Sequence, residues 1–281
     1  MSKHNVEFVL VTFFYDLAQF YMLCLSMKKY HNKDYKIRII YNYDKETELS
    51  AVDDFLKIIK DHLSEFDVEF TIKPTEFNGT GWDTQQLLKW YLAYTSTVEW
   101  QVVLDSKNFY IKPFKLLDTL DFKEIPGFIF PERNTWIQQE LDRSFKFLES
   151  YQPVYPQKYS AMTPWIWNTT KIKEMLDTVW SNNSWKDLKK LPGTEWFLYL
   201  AWIGKDIKYY PTQVVTGIWG DCTSDAILVN GMHNKDICFW THHRFATSYK
   251  SLELTKQVMQ YSDIATDKET AQWQRYLEST I

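Results

Sequence analysis

The segment VVLDSKN, at residues 102–108, decides how this chain is interpreted. Apolar residues lead into Asp105 and polar residues follow, which is typical of a buried strand that ends in a turn. It is the last of four such runs in the first half of the chain. They predict strands at residues 6–14, 37–41, 68–72 and 101–104.

Amphipathic stretches separate these four runs. Apolar residues recur in them near helical spacing, and they predict helices at residues 17–30, 46–66 and 84–95. Strands that alternate with helices favour a mostly parallel sheet that helices cover on both faces. The first half therefore predicts an α/β fold.

The second half is less regular. Short apolar runs predict strands at residues 127–130, 165–167, 227–229 and 237–240. Helical patterns occur at residues 137–149, 171–180, 194–202, 252–261 and 268–277. The chain contains no repeat and no linker rich in glycine, serine or proline, so a single domain over residues 1–281 is expected.

Composition excludes several classes of protein. The chain has 281 residues, of which 45% are hydrophobic, so it can bury a large core and is not a disordered chain. Its three cysteines, Cys24, Cys222 and Cys238, lie too far apart for a disulfide scaffold or a CxxC-type zinc site. No run reaches the ~20 apolar residues of a membrane span, and no targeting signal is recognised. A soluble, cytoplasmic protein is expected.

Aromatic residues are unusually abundant, at 17% of the chain, including 13 tryptophans. A core can absorb many of them, but tryptophan is rarely buried completely. Some of these side chains are therefore expected to line a cleft or an interface.

Ligands of open parallel sheets bind beyond the carboxyl ends of the strands, which directs attention to residues 12–16 and 105–108. A carboxylate such as Asp105 can hold a divalent ion or a ribose hydroxyl there, and Lys107 can neutralise phosphate. The alternative is structural: Asp105 caps a turn and Lys107 points into solvent. The spacing alone favours neither.

Four segments together resemble the GT-A type glycosyltransferases, which are nucleotide-sugar enzymes. Residues 105–107 resemble their D-x-D motif, which follows the fourth strand, and TFFYD at 12–16 follows the first strand. GWDTQQLLK at 81–89 and GTEWFLY at 193–199 resemble two helices of a bacterial and viral group within these enzymes. The resemblance implies a GT-A-like domain with a Rossmann-like central sheet. Residues 1–125 would bind the nucleotide-sugar, and residues 126–281 would form an irregular α+β acceptor half.

The resemblance also implies which residues meet each substrate. Gln86 and Lys89 share one face of their helix. The residues expected to bind the donor are Thr12, Tyr15, Asp16, Trp82, Gln86, Lys89, Ser106, Lys107, Asn108 and Arg244. Those expected to meet the acceptor are Trp165, Trp167, Asn168 and Trp196, and Trp136 and Trp219 could join them. Because aromatic stripes are more often core than binding platforms, core packing remains the alternative for the tryptophans.

The chain departs from the motif at one position, because it reads Asp-Ser-Lys where the family has Asp-x-Asp. In the first interpretation, a Mn²⁺ or Mg²⁺ ion is retained and is held by Asp105, the diphosphate and His242 or His243. Adjacent residues of a strand point to opposite faces, so only one of the two histidines is expected to face the site. In the second, Lys107 takes over part of the role of the ion, since either cation can stabilise a departing diphosphate. The first interpretation, in which the metal ion is retained, is the expectation.

Glu195 is the expected catalytic base, together with Asp105 at the catalytic centre. An inverting transfer needs a carboxylate or histidine to accept the proton of the attacking hydroxyl. Acids are also common in first helical turns for reasons of the helix dipole, which is the structural alternative.

The sequence-based hypothesis is therefore a glycosyltransferase that uses a nucleoside diphosphate sugar, preferably a UDP-sugar, and a hydroxyl acceptor. The acceptor could be a hydroxymethylated pyrimidine in viral DNA or a bacterial surface glycan. The net charge of −4 argues against strong non-specific binding to DNA, although lysines cluster locally after residues 110 and 170. A nucleotide- or carbohydrate-binding module without catalysis is the alternative class.

Overall fold

A mostly parallel sheet organises the chain. The computed structural model describes residues 5–75, 81–118, 125–128, 135–151, 153, 163–188, 190–204, 207–210, 214–218, 236–243 and 246–280. The main sheet consists of β1 (Val6–Phe13), β2 (Lys36–Tyr43), β3 (Val68–Pro74), β4 (Trp100–Asp105) and β7 (Trp165–Asn168). Its order is β3-β2-β1-β4-β7, in which four strands are parallel and β7 runs antiparallel to β4.

Two smaller sheets accompany it. The order β5-β10-β9 combines β5 (Asn108–Tyr110), β9 (Val215–Ile218) and β10 (Phe239–His242). The strands β6 (Ile125–Phe128) and β8 (Ile207–Tyr210) pair in parallel. Strands such as β5, β8 and β9, of three or four residues, are too short for periodicity to predict them.

Eight helices lie within the described residues. They are α1 (Leu17–Tyr30), α2 (Val52–Leu63), α3 (Gly81–Tyr94), α4 (Thr135–Phe147), α5 (Thr169–Val179), α6 (Glu195–Ile203), α7 (Tyr249–Tyr261) and α8 (Asp267–Thr280). The predicted helix at 46–66 is divided, since residues Glu46–Ala51 form a 3₁₀ turn before α2. The predicted strand at 227–229 lies outside the described residues.

Helix α1 is buried on every side over its first eleven residues. Residues Leu17 to Met27 are all buried, because the helix packs against β5, α2 and α8. Even the polar Gln19 and Ser26 are enclosed. The arrangement confirms the predicted α/β class with helices flanking a mostly parallel sheet.

A buried ionic group stands at the amino ends of the central strands, and it is called the amino-end cluster here. It consists of Glu7 of β1, Arg38 of β2, Gln101 of β4 and Ser96. Glu7 Oε1 accepts hydrogen bonds from Ser96 at 2.7 Å, from Gln101 at 2.7 Å and from Arg38 at 3.3 Å. Arg38 also donates to the carbonyl of Leu92 at 3.0 Å, which ties α3 to the sheet. The cluster satisfies a carboxylate that the fold encloses.

Candidate active site

A cavity of about 610 Å³ opens at the carboxyl ends of β1 and β4. Its walls come from those strand ends, from α3, from the first turns of α4 and α6, and from the end of β10. Sites of open α/β sheets are expected at this edge. The cavity thus lies at the sheet edge where the sequence predicts a ligand.

Asp105 ends β4, and a network of hydrogen bonds fixes the turn after it. The backbone N–H of Asp105 donates to Asn108 Oδ1 at 2.9 Å, and Asn108 Nδ2 donates to Thr241 Oγ1 of β10 at 2.8 Å. The Thr163 hydroxyl lies 3.2 Å from Asp105 Oδ2 and also contacts Asn108. Three separate segments of the chain therefore hold the carboxylate of Asp105 in place.

Two lysines and two acids meet at this point, and they are called the carboxyl-end cluster here. Lys89 Nζ of α3 lies 2.7 Å from Asp105 Oδ1 and 3.1 Å from Glu195 Oε1. Lys107 Nζ lies 2.9 Å from Asp105 Oδ2. The side chains of Lys89 and Glu195 are only 4% and 3% exposed, whereas that of Lys107 is 31% exposed. The cluster is neutral in sum, and its most accessible member is a cation.

The ionisation of these groups follows from burial and from their neighbours. Burial opposes the charge on Asp105, but Lys107 and Lys89 outweigh it and hold its pKa well below the usual range. Burial likewise opposes the charge on Lys89, and Asp105 and Glu195 more than offset it, so its pKa is raised. For Glu195, burial dominates over Lys89 and raises the pKa. Asp105 is thus a permanent carboxylate, whereas Glu195 takes up a proton more readily than an ordinary glutamate.

The start of α6 positions Glu195. Thr194 caps the helix by accepting a hydrogen bond from Phe197 N at 3.3 Å, and Gln86 Oε1 accepts one from Glu195 N at 3.0 Å. Gly193 lies directly against α4, where an added Cβ would overlap Ser144 Oγ and approach Ser144 Cβ to 3.1 Å. Only glycine allows this approach without a shift of α4.

The predicted donor residues divide into three groups. Those that line the cavity are Asp16, Trp82, Gln86, Lys89, Ser106, Lys107 and Asn108. Two do not line it: Thr12 is buried within the sheet, and Tyr15 is 49% exposed and packs edge-on against Phe13 and Phe14. Neither residue lines the cavity, because β1 continues to Phe13 and Thr12 is buried, and a donor-binding role for them stays a prediction. Arg244 lies outside the described residues.

The predicted acceptor residues also divide. Trp165 and Trp196 line the cavity and stack on each other with ring centroids 5.1 Å apart and planes within 2°. The expectation for Trp167 and Asn168 is wrong, because neither lines the cavity. Trp167 is completely buried, and Asn168 caps α5 by accepting a hydrogen bond from Lys171 N.

The two histidines point in different directions. His243 lines the cavity, whereas His242 is 1% exposed and its Nδ1 lies 2.7 Å from Thr255 Oγ1 of α7. The ring of His242 also meets Trp273 of α8 edge-on. Burial lowers the pKa of His242 to about 4. The expectation that His242 is a metal ligand is therefore not met, because its ring packs against α7 and α8 and does not line the cavity.

A divalent cation does not fit the donor set around Asp105. No group of three or more His, Cys, Asp or Glu side chains suited to a metal occurs among the described residues. Each oxygen of Asp105 already contacts an ammonium group. An ion bound to either oxygen would lie within about 5 Å of an ammonium nitrogen, and at an effective dielectric constant of about 20 the repulsion is roughly 7 kcal/mol.

Sequence reasoning misses several residues of the cavity lining, among them Gln19 and Thr163. Gln19 lies in the first half of α1, lines the cavity and is 2% exposed, and neither atom of its amide has a hydrogen-bond partner among the described residues. Thr163 joins Asp105 to Asn108. Gln19 is hidden in an apolar helix pattern, and Thr163 lies in a loop. No motif marks either one.

The strand order, the flanking helices and the cavity at the carboxyl ends define the GT-A type of glycosyltransferase fold. No family model matches the chain, and no curated protein matches it either. Solved structures of glycosyltransferases are similar to it, among them those of LgtC and WbbM. Galactosyltransferase LgtC, solved in complex with donor and acceptor sugar analogs, is 10% identical with a TM-score of 0.54, and the match covers 90% of this chain and 95% of LgtC. The apo structure of the bifunctional glycosyltransferase WbbM is 9% identical with a TM-score of 0.53.

The match to WbbM covers 91% of this chain and 52% of that protein, so the chain spans about half the length of WbbM. At these identities the likeness concerns the fold alone.

None of the helices in the described parts of the chain has the length and apolar character needed to cross a membrane. Cys24 and Cys238 are buried free thiols.

Proposed function

We propose that this chain is a glycosyltransferase that moves a sugar from a nucleoside diphosphate sugar, preferably a UDP-sugar, to a hydroxyl group. The observation that carries the proposal is the carboxyl-end cluster, which combines an accessible ammonium, a fixed carboxylate and a buried acid on one cavity wall. The ammonium can stabilise a negatively charged leaving group, and the buried acid can accept the proton of the attacking hydroxyl. The fold of LgtC and WbbM supports this proposal.

In this proposal Glu195 acts as the base. The oxygen of the acceptor hydroxyl forms a bond to the anomeric carbon, and the hydroxyl proton passes to the Glu195 carboxylate. The bond from the anomeric carbon to the β-phosphate oxygen breaks, and its electron pair stays on that oxygen. Burial raises the pKa of Glu195, which strengthens it as a base near neutral pH. Lys89 touches both acids and positions Glu195 relative to Asp105.

Residues 1–125 supply the donor side of the cavity in this proposal, and residues 126–281 supply the acceptor side. Asp16, Gln86, Ser106 and Asn108 line the donor side. Ser106 is 1% exposed, and its Oγ has no hydrogen-bond partner among the described residues, so it is available to a ligand oxygen.

A saccharide is the favoured acceptor. Trp136, in the acceptor half, is 50% exposed and lines the cavity. Large exposed aromatic rings beside a cavity offer flat apolar surfaces on which the faces of sugar rings can stack. The lysines that suggested a DNA groove are partly engaged elsewhere, since Lys171 pairs with Glu174 and Lys173 donates to the Ser96 carbonyl.

Donor use is the first test. The purified chain is incubated with UDP- and GDP-sugars, and nucleotide release is followed by chromatography. We expect slow release from at least one UDP-sugar, with water as the acceptor, and loss of release in Asp105→Ala and Glu195→Gln. Glu253→Gln, on the outer face of α7, is the matched control and should behave as the parent. Full activity of Asp105→Ala would show that the site is placed wrongly.

Acceptor identity needs a second experiment. Oligosaccharides and hydroxymethylcytosine-containing DNA are offered separately with the donor that is hydrolysed, and products are weighed by mass spectrometry. The proposal predicts a sugar-sized mass increase on a saccharide. A mass increase on the DNA alone would identify a modified base, not a saccharide, as the acceptor. Tight donor binding without release or transfer on any acceptor would favour the non-catalytic module.

A further inference from the structure

Ammonium groups occupy the place at the end of β4 where a cation would meet the ligand. Lys89 Nζ lies 2.7 Å from one oxygen of Asp105, and Lys107 Nζ lies 2.9 Å from the other. Thr163 Oγ1 adds a third neighbour at 3.2 Å. The coordination positions of this carboxylate are therefore filled by the protein itself.

The two lysines are not equivalent. Lys89 is 4% exposed and contacts two carboxylates, so its charge is neutralised within the protein. Lys107 is 31% exposed, lines the cavity and shares Asp105 with Lys89, so its charge is only partly compensated. Its four-carbon stem is flexible and its ammonium has three donors, which lets it contact Asp105 and a ligand oxygen together.

We propose that Lys107 performs the task of the divalent cation, and that this protein binds the diphosphate of its donor without a metal ion. The inference rests on the proposed function, because it concerns how the same donor is held. Asp105 acts as the positioning residue that holds the Lys107 ammonium at the cavity wall. Lys107 donates hydrogen bonds to the diphosphate oxygens in the ground state.

Lys107 also acts during transfer. When the bond between the anomeric carbon and the phosphate oxygen breaks, the electron pair remains on the diphosphate and its negative charge grows. The Lys107 ammonium is aimed at that charge, and no proton has to leave it. Protons and electrons balance without an added ion, since the acceptor proton goes to Glu195 and the nucleoside diphosphate departs as an anion.

Binding of UDP provides a readout that is independent of turnover. The full chain is freed of metal with EDTA, its metal content is checked by mass spectrometry, and UDP binding is measured by calorimetry with EDTA, with Mn²⁺ and with Mg²⁺. We expect dissociation constants that agree within about twofold across the three conditions. Binding that is lost in EDTA and restored by either ion would overturn the inference.

Two substitutions sharpen the result. Lys107→Met should weaken UDP binding by about 10-fold to 100-fold without lowering the unfolding midpoint, whereas Lys57→Met, on the exposed face of α2, should change neither. Lys107→Asp removes the ammonium and adds an acid beside Asp105, so its UDP binding should fail in EDTA and recover in part with Mn²⁺. Metal-free binding as tight as that of the parent in both Lys107 variants would refute the role of this lysine.

The outcomes separate the two proposals. Release of nucleotide that requires Mn²⁺ would sustain the glycosyltransferase and reject the metal-free mechanism. UDP binding that depends on Lys107 and ignores EDTA, without release from any sugar donor, would sustain the phosphate site and reject the transferase. Absence of binding of both UDP and GDP, with and without metal, would reject both.

Discussion

Two buried ionic clusters stand at opposite ends of the same strand, β4, and they differ in what they face. The amino-end cluster surrounds Glu7 with Arg38, Ser96 and Gln101, and protein groups enclose it. The carboxyl-end cluster has similar ion-pair distances but lies on the wall of a 610 Å³ cavity. Charge burial alone is therefore not evidence of function. The carboxyl-end cluster includes an accessible cation, and no such cation occurs among the described residues of the amino-end cluster. This is the informative difference between them.

Among the substitutions that compare the two clusters, Glu195→Gln should have the largest effect on nucleotide release. The amide keeps the shape of the acid but cannot accept a proton, so we expect nucleotide release to fall by about 10²-fold to 10⁴-fold. The free energy of unfolding should change little, because the substitution removes a charge that burial disfavours and Lys89 keeps its ion pair with Asp105. Release assays and urea unfolding on the same preparation measure the two effects.

The pH profile provides a control for this variant. Protonated Glu195 cannot act as a base, so kcat/KM should fall as the pH decreases through its pKa. Because burial raises that pKa, this acidic limb should lie above the range of an ordinary glutamate. The limb should be missing from the residual activity of Glu195→Gln. A limb that persists in the variant would assign the base to another group.

Lys89→Met should affect both stability and turnover. It leaves Asp105 and Glu195 buried with Lys107 as their one remaining cation in the cluster, and we expect a loss of about 3 kcal/mol in unfolding free energy. Release per folded molecule should fall at least 100-fold, since Glu195 loses the contact that positions it. Unchanged turnover in the folded fraction would mean that Lys89 is purely structural, like the amino-end residues.

Arg38→Met tests the opposite cluster. Glu7 would stay buried without its cation, so unfolding free energy should again fall by about 3 kcal/mol. Nucleotide release per folded molecule should remain within twofold of the parent. Arg38 lies near the amino end of β2, whereas the cavity lies at the carboxyl ends of the strands. Circular dichroism gives the folded fraction needed for that comparison. A selective loss of turnover would contradict the division between the two ends.

Trp136→Ala should give the smallest effect. The ring is 50% exposed at the cavity, so its removal costs little stability, and saccharide KM should rise about 10-fold through lost stacking. Tyr249→Ala is the matched control, since that ring is 80% exposed on α7 outside the cavity lining. Equal saccharide KM values for both variants would show that the Trp136 ring is not part of the acceptor site.

Much of the fold follows from periodicity in the sequence. The predicted helix at 17–30 coincides with α1, because long apolar stretches at helical spacing leave few alternatives. The resemblance to GT-A enzymes also places Lys89, Asp105 and Glu195, and the structure brings these three side chains into contact. Their roles remain proposals.

Other features depend on contacts between distant segments. Alternation along a strand predicts that one of His242 and His243 faces the site, but only the packing of Thr255 and Trp273 decides that His242 turns away. The capping role of Asn168 and the burial of Trp167 depend on β7 joining β4 antiparallel. Local sequence carries no signal for such long-range pairings.

Positions 193 and 195 are two residues apart, and variation at them is expected to be restricted for different reasons. A side chain at 193 would collide with Ser144 and push α4 away, so a library selected for soluble protein alone should retain glycine there. The same selection should accept glutamine at 195, and only a second selection for turnover should remove it. Sequencing the library after each round would distinguish, position by position, what the architecture demands from what the chemistry demands.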